Sequence, residues 1–208
     1  YKKKGLKIMA NSAVETVDTK GRGCKVTVKN RKTGKTEEIK CDVVLSAAGV
    51  TPNTEDIGLE TLGIEKDGPL IKVDEYYRTN VAGIYAIGDC VPGPALAHVA
   101  SAEGIICVER IKEMKPQPLD YGNIPSCTYC VPEVASVGHT EASAKEAGYE
   151  NLKVGKFPFS ASGKASAAGA KEGFVKVIFD AKYGEWLGAH MIGSNVTEII
   201  AEVVAARK

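Results

Sequence analysis

The sequence predicts a mixed fold: incomplete α/β, Rossmann-like portions come first, and an α+β domain with an antiparallel sheet follows. The apolar run 42–49 is typical of a strand buried on both faces of a parallel sheet. A second strand-like run, 83–88, leads directly toward a helical stretch, as in α/β folds. From residue 119 onward, alternating strands and short helices replace this pattern.

Composition fits one or two globular domains. The 208 residues are 44% hydrophobic and 25% charged, which is ordinary for a protein with a packed core. A net charge of +1 gives no sign of a nucleic-acid or membrane surface. No apolar run approaches the roughly 20 residues that a spanning helix needs. We therefore expect no nucleic-acid partner, no membrane partner and no metal.

The first half is predicted to contain a β-hairpin, further strands and one helix. Residues 24–42 alternate apolar and polar side chains around a turn, which indicates a hairpin or meander. Residues 71–74 are a short strand candidate that precedes the run 83–88. The stretch 94–114 is helical, with Pro94 near its first turn. Residues 115–118 stop the helix and form a linker.

The second half is predicted to combine strands and helices. The expected elements, in chain order, are a strand at 134–138, a helix at 141–147, strands at 174–179 and 186–192, and a final helix after Asn195. Thr140 is placed to cap the first of these helices, and Gly148 to end it. Residues 195–198 have the spacing of a capping box.

The six cysteines are too few and too scattered for a disulfide scaffold, which indicates reduced thiols. Cys127 and Cys130 form a C-x-x-C, but their segment is extended. In a strand, residues three apart lie roughly 10 Å from each other on opposite faces. A disulfide needs Cα atoms within about 7 Å. None of the three histidines completes a zinc site with this pair.

The strongest candidate site is the segment 84–89 with the helix that follows it. Gly88 would let a ligand approach the backbone, and Asp89 stands where open α/β sheets bind ligands. A carboxylate there can accept two hydrogen bonds from a ribose-like chain. The helix N-terminus presents free N–H groups, and small side chains near it would admit a flat ring. The alternative is that Asp89 only caps the helix.

This site resembles part of a known family. Residues 79–89 and 94–104 are similar to the second flavin-binding segment of the pyridine nucleotide–disulfide oxidoreductases. Four further segments are similar to the same family, in the same order: 48–60, 129–138, 153–159 and 187–193. The resemblance therefore covers essentially the whole chain. It implies the C-terminal part of an NAD-binding domain at 1–49, that of an FAD-binding or central domain at 50–118, and a dimerisation domain at 119–208.

The resemblance also implies an activity. Protein-bound dihydrolipoamide would be oxidised through a redox disulfide and FAD, and NAD would be reduced. The implied partners are a second copy in a homodimer and the lipoyl-bearing acyltransferase subunits of 2-oxo-acid dehydrogenase complexes. The implied location is the cytoplasm, or the mitochondrial matrix in a eukaryote. The alternatives are another disulfide reductase of the family, such as mercuric or glutathione reductase, or a non-catalytic dimerisation module.

The implied cofactor contacts are specific. Asp89 would hydrogen-bond the ribityl and pyrophosphate region of FAD. Four residues would lie against the pyrimidine side of its ring: Ala95, Leu96, Ala97 and His98. Gly49 would contact NAD through its backbone, since a side chain there would block the approach. Val14 would line the adenine side.

Several family features are not in the sequence. It contains no redox C-x-x-x-x-C pair, no G-x-G-x-x-G loop and no catalytic His–Glu pair. Cys130 stands where many relatives have Thr, and Val50 replaces an Arg common in the family. The chain begins at Tyr1 and ends within an apolar-periodic stretch. We therefore expect a piece of a longer protein, with the catalytic residues outside it and no turnover by the piece alone.

Overall fold

The computed structural model describes the backbone of residues 1–208 and every side chain except that of Lys3. The chain divides into two units, 1–51 and 52–208. Helices occur together with antiparallel sheets, which confirms the mixed fold class. None of the helices described is long and apolar enough to cross a membrane.

The first unit is built on a three-stranded antiparallel sheet. Its strands are β1 (Ser12–Gly21), β2 (Gly23–Asn30) and β3 (Thr36–Cys41), with β2 in the centre. Strands β2 and β3 confirm the predicted hairpin, and Val26 and Val28 bury its inner face. At the turn, the Asn30 carboxamide oxygen accepts the backbone N–H groups of Lys32 and Thr33, both at 3.0 Å. The sequence analysis missed β1, because a register shift breaks its alternation.

The run 42–49 is not a strand, so the prediction of a doubly buried strand is wrong. Val43 and Leu45 are 80% and 88% exposed. A strand forms only when neighbours accept and donate its backbone hydrogen bonds. Among the residues that the structure describes, no segment pairs with this run.

The second unit begins with short and irregular structure. A small hairpin joins β4 (Lys66–Asp67) to β5 (Leu70–Ile71), so the strand predicted at 71–74 ends at its first residue. The run 83–88 begins in a turn at Gly83 and ends in a 3-10 turn at Gly88, and its one described ladder contact is an isolated bridge from Tyr85 to Arg78. The strand predicted there is therefore wrong, for the same lack of paired neighbours.

A helix and a five-stranded sheet complete this unit. The predicted first helix is confirmed as α1 (Ala97–Ile111), three residues after Pro94. The sheet consists of β6 (Ser126–Thr128), β7 (Glu133–Gly138), β8 (Leu152–Pro158), β9 (Phe174–Asp180) and β10 (Trp186–Gly193), in the order β6-β7-β10-β9-β8. The remaining helices are α2 (Glu141–Glu146), α3 (Gly163–Ala167) and α4 (Val196–Ala206). The strands expected at 134–138, 174–179 and 186–192 are confirmed, as are α2 and α4.

The main core lies between the sheet and α4. Its buried members are Ala135, Val137, Ala189, Met191, Val196, Ile200 and Val203. A second cluster joins Ala144 of α2 to Ile178 and Leu187. Val177 contacts the first cluster and Ile178 belongs to the second, because neighbouring residues of a strand face opposite sides.

The two predicted helix caps have different outcomes. The Thr140 hydroxyl accepts the Ser143 N–H at 3.1 Å, and the Ser143 hydroxyl accepts the Thr140 N–H at 3.0 Å, which confirms the cap on α2. The capping box predicted at 195–198 is wrong. Asn195 has φ of 59° and no side-chain cap bond. The Glu133 carboxylate of β7 instead accepts the Thr197 N–H and hydroxyl, at 3.2 and 2.8 Å.

Candidate functional site

Asp89 lies in a 3-10 turn, Gly88–Cys90, immediately after the extended residue Ile87. Its side chain is exposed. No hydrogen bond or ion pair to its carboxylate is formed within the described part of the chain. A carboxylate in this state can accept two hydrogen bonds from a ligand. The alternative prediction, that Asp89 caps α1, is wrong because Leu96 is the N-cap residue.

The first turn of α1 follows eight residues after Asp89. Ala95, Ala97 and His98 are exposed, and Leu96 is partly buried. The N–H groups of Ala97 and His98 precede the first helical hydrogen bond, in which the Val99 N–H meets the Leu96 carbonyl. They have no acceptor within the helix and carry the positive end of its dipole. The turn therefore presents donors to an anionic or carbonyl group.

Close backbone packing joins the Asp89 turn to α1. Gly88 has φ of 74°, and a Cβ added there would lie 3.2 Å from the Ala100 Cβ. A Cβ on Gly104 would lie 3.3 Å from the Ile87 methyl carbon Cδ1. Part of the small-residue stripe in α1 thus packs against residues 87–88 and does not remain open for a ring. Ala97 is the small helical residue that stays exposed next to the N-cap.

Glu103 is the residue that sequence analysis missed. It is buried to 1% exposure within α1. One carboxylate oxygen accepts the Gly88 N–H at 2.6 Å, and the other accepts the Tyr121 hydroxyl at 2.5 Å. The Tyr121 hydroxyl also lies 3.3 Å from that of Tyr77. The signal that could have found Glu103 is an acidic residue in line with Val99 and Cys107, the other buried positions of α1.

This network holds the turn before Asp89 in place and keeps its phenols neutral. Burial raises the pKa of Tyr121, and the hydrogen bond to Glu103 raises it further. Burial also raises the pKa of Tyr77. Both phenols therefore remain protonated at neutral pH. Since each phenol carries one proton and that of Tyr121 points to Glu103, Tyr77 donates to the Tyr121 oxygen.

The nearby cysteine is not arranged as a nucleophile. Cys90 donates from Sγ to the Ile87 carbonyl oxygen at 3.2 Å. Burial raises the pKa of this thiol, which reduces the thiolate fraction. The C-x-x-C is also unbridged, as predicted: Cys127 Sγ lies 4.0 Å from the Thr197 carbonyl oxygen, and Cys130 Sγ lies 3.2 Å from the Pro132 carbonyl oxygen.

Two predicted site residues belong to the unit 1–51. Val14 is 60% exposed on β1, opposite Val28. Gly49 has φ of 102°, and a Cβ added there would meet nothing within 4 Å. The backbone at Gly49 is therefore open to a ligand, and its left-handed conformation favours glycine. Their predicted cofactor contacts stay predictions, as do those of Asp89 and residues 95–98.

Comparisons with known proteins give two family matches. The family "Pyridine nucleotide-disulphide oxidoreductase" matches residues 1–104. Its "dimerisation domain" family matches residues 124–208. The chain is 50% identical over 205 residues to dihydrolipoyl dehydrogenase of Rhizobium etli, covering 98% of the chain and 42% of that protein. It is 44% identical to the mitochondrial dihydrolipoyl dehydrogenase of Pisum sativum, covering 98% of the chain and 40% of the relative.

A solved structure shows the same fold. LpdA of Mycobacterium tuberculosis superposes with a TM-score of 0.83 at 26% sequence identity, covering 99% of this chain and 44% of that one. The chain thus spans less than half the length of each of these three proteins.

Proposed function

Because the chain belongs to the pyridine nucleotide-disulphide oxidoreductase family, we propose that it forms part of a dihydrolipoyl dehydrogenase. This enzyme oxidises protein-bound dihydrolipoamide and reduces NAD. The observation that carries the proposal is the exposed Asp89 carboxylate, to which no described residue hydrogen-bonds, in a turn packed on α1. Relatives named dihydrolipoyl dehydrogenase favour this activity over those of mercuric or glutathione reductase.

The residues present fit FAD. Asp89 can accept hydrogen bonds from ribityl hydroxyls. Gly88 does not offer its own backbone to the ligand, because it packs against Ala100 and its N–H is bonded to Glu103. Ala95, Leu96, Ala97 and His98 would lie along the pyrimidine edge of the ring. When bound, FAD supplies the two-electron link between a dithiol and NAD.

The chain's own residues bind and orient in this site. The N–H groups of Ala97 and His98 favour negative charge on the ring edge that faces them. His98 contributes its backbone and packing and is not a base. Glu103 positions the turn before Asp89, since both its carboxylate oxygens accept hydrogen bonds from Gly88 and Tyr121. In the first unit, the open backbone of Gly49 would contact NAD, and Val14 would line its adenine side.

A second copy of the chain is the proposed partner of the region that contains the five-stranded sheet. We assign the C-terminal parts of NAD-binding and FAD-binding domains to residues 1–49 and 50–118, and the dimerisation domain to residues 119–208. Tyr129 and Val131 are 83% and 81% exposed on the connection between β6 and β7. Exposed aromatic and apolar side chains are typical of interface cores. Lipoyl-bearing acyltransferase subunits are the proposed source of the substrate, in the cytoplasm or the mitochondrial matrix.

The chain by itself should not turn over. Its six cysteines include no C-x-x-x-x-C pair, so the dithiol exchange with dihydrolipoamide needs a nucleophile from outside these residues. The purified chain is therefore expected to reduce no NAD with dihydrolipoamide. Steady NAD reduction by the chain alone, at a rate proportional to its concentration, would disprove this part of the proposal.

A chimera tests the flavin site directly. The matching segment of the Rhizobium etli enzyme is replaced by this chain, and bound FAD and dihydrolipoamide-dependent NAD reduction are measured. Asp89→Ala removes a charged acceptor, and a hydrogen bond to a charged group is worth about 1.5–3 kcal/mol, so FAD affinity should fall roughly 10- to 100-fold. Asp67→Ala, an exposed aspartate in β4, is the control and should retain FAD. Equal FAD content in the two variants would refute the assignment.

A further inference from the structure

Two cysteines, Cys24 and Cys41, lie directly opposite each other on β2 and β3. Farther along the same register, the Asn30 N–H donates to the Lys35 carbonyl at 2.9 Å. Along an antiparallel ladder, hydrogen-bonded and non-hydrogen-bonded pairs alternate. Because Cys24 is an even number of residues from Asn30 and no register shift lies between them, the pair Cys24–Cys41 is also a hydrogen-bonded pair. The Cα atoms of such a pair are about 5.5 Å apart.

This placement suits a disulfide. The Cα atoms of bridged cysteines usually lie about 4.4–6.8 Å apart, a range that includes the roughly 5.5 Å expected for this pair. Their Cβ atoms lie about 3.5–4.5 Å apart, whereas those of directly opposite residues lie about 4.5–5.5 Å apart, so the two strands must move slightly closer for the bond to form. Directly opposite residues project from the same face of a sheet, so the two thiols share one side. Both residues are only partly buried. Cys24 Sγ lies 3.7 Å from the Asp42 carbonyl oxygen, a weak contact that a new bond can replace.

The neighbouring glycine allows the strands to approach closely at this end. Gly23 has φ of 87°, and a Cβ added there would lie 2.9 Å from the Cys41 carbonyl oxygen. Any other residue at 23 would push the two strands apart beside the cysteines. Cys41 is the last residue of β3, and Cys24 is the second of β2. The pair therefore occupies the end of the β2–β3 hairpin that lies away from its turn.

The surroundings admit a small anionic reagent. An open cavity of about 430 Å³ is lined by both cysteines and by Arg22, Lys25 and Lys40. Lys25 is held by Glu38 at 2.8 Å. Arg22 and Lys40 add positive charge, which attracts a negatively charged reagent. Asp18 and Asp42 also line the cavity, so its lining carries both positive and negative side chains.

We propose that Cys24 and Cys41 form a reversible disulfide, with a small-molecule disulfide as the oxidant. One thiolate attacks the reagent, its S–S bond breaks, and one small thiol leaves. The second cysteine thiolate then attacks the mixed disulfide, the Cys24–Cys41 bond forms, and a second small thiol leaves. Two electrons pass from the protein to the reagent, and the two cysteine protons leave on the released thiols.

The test is peptide mapping of the whole chain after equilibration in glutathione buffers of increasing oxidising strength. Remaining thiols are alkylated, and the trypsin digest is examined by mass spectrometry. Cleavage yields Cys24 on peptide 23–25 and Cys41 on peptide 41–66. The expected product is these two peptides joined, with two hydrogens lost, at least about tenfold more abundant than any other cysteine pair, because folding holds the thiols together.

A matched variant moves one thiol to the other face. Cys41→Ala combined with Lys40→Cys keeps six cysteines in the chain and shifts the thiol by one residue. The abundance of its cross-linked peptide should be at least about tenfold lower than in the unsubstituted chain. When the unsubstituted chain is unfolded in concentrated urea, it should no longer form the Cys24–Cys41 disulfide in preference to other cysteine pairs. Two results would overturn the proposal: separate glutathione adducts on Cys24 and Cys41 in the native chain, or equal linkage in the shifted variant. Circular dichroism confirms that the variants are folded.

Discussion

Removing the Tyr121 hydroxyl should destabilise the unit 52–208 far more than removing a hydroxyl from the surface. In Tyr121→Phe, the ring remains and the donor to Glu103 is lost. One carboxylate oxygen of Glu103, which is only 1% exposed, then loses its hydrogen bond from the Tyr121 hydroxyl. A hydrogen bond to a charged group contributes about 1.5–3 kcal/mol, so a loss of about 2 kcal/mol in the free energy of unfolding is expected.

A second variant separates the charge of Glu103 from its shape. Glu103→Gln keeps an acceptor for the Gly88 N–H but makes the hydrogen bonds neutral, at a cost of about 1 kcal/mol. When a neutral amide replaces the carboxylate, loss of the Tyr121 hydroxyl no longer strands a buried charge. The double variant should therefore be more stable than the sum of the single effects by about 1 kcal/mol or more.

The assay is urea unfolding of the whole chain followed by tryptophan fluorescence. Trp186 is the single tryptophan, and it lies on β10 of the same unit as the network. Tyr183→Phe is the control, because Tyr183 is 78% exposed, and it should change stability by less than about 0.5 kcal/mol. The reasoning fails if Tyr121→Phe and Tyr183→Phe lose the same stability, or if the double variant is additive within about 0.5 kcal/mol.

Three further predictions concern pH and backbone. Burial alone would raise the pKa of Asp74, but hydrogen bonds from Arg78 and Tyr76 lower it below 3.8. Asp74→Asn should therefore reduce the free energy of unfolding by about 1 kcal/mol at neutral pH and by little once the pH falls well below 3.8. Urea titrations at several pH values measure the difference. Because the pKa of Tyr121 is raised in the fold, its contribution to stability is complete below pH 10.0 and falls above it, where the phenol of the unfolded chain ionises first. Above pH 10.0 the unsubstituted chain should lose up to about 1.4 kcal/mol per pH unit more than Tyr121→Phe, and equal slopes would contradict this. Gly173 has φ of 104°, and a Cβ there would overlap the Ile192 carbonyl oxygen. In thermal unfolding, Gly173→Ala should reduce the free energy of unfolding by about 3 kcal/mol or more. Gly169→Ala, where a Cβ would meet open space, is the control and should reduce it by about 1 kcal/mol.

Most elements after residue 119 could be predicted from the sequence because their signals are local. Alternation marks β9 and β10, and the Thr140 cap and Gly148 mark the ends of α2. The apolar spacing of α4 is equally direct, although its N-terminus is stabilised by Glu133 from another strand. Such a partner, 64 residues away, leaves no trace in the helix's own sequence.

The two runs 42–49 and 83–88 show where local signals fail. Both have the composition of buried strands, but a strand exists only when other segments complete its hydrogen bonds. Those neighbours are not found in the described residues. Composition therefore predicted strands in both runs, but without paired neighbours neither run forms one.

The candidate site divides in the same way. The sequence by itself determined Asp89, the glycine before it and the start of the helix after it, because these are adjacent in the chain. Tertiary structure alone decided the role of Glu103, since a buried carboxylate becomes stable only when distant donors reach it. Gly88 and Tyr121, 15 and 18 residues away, provide those donors. Hydrogen bonds between separated segments depend on packing, which residue order does not specify locally.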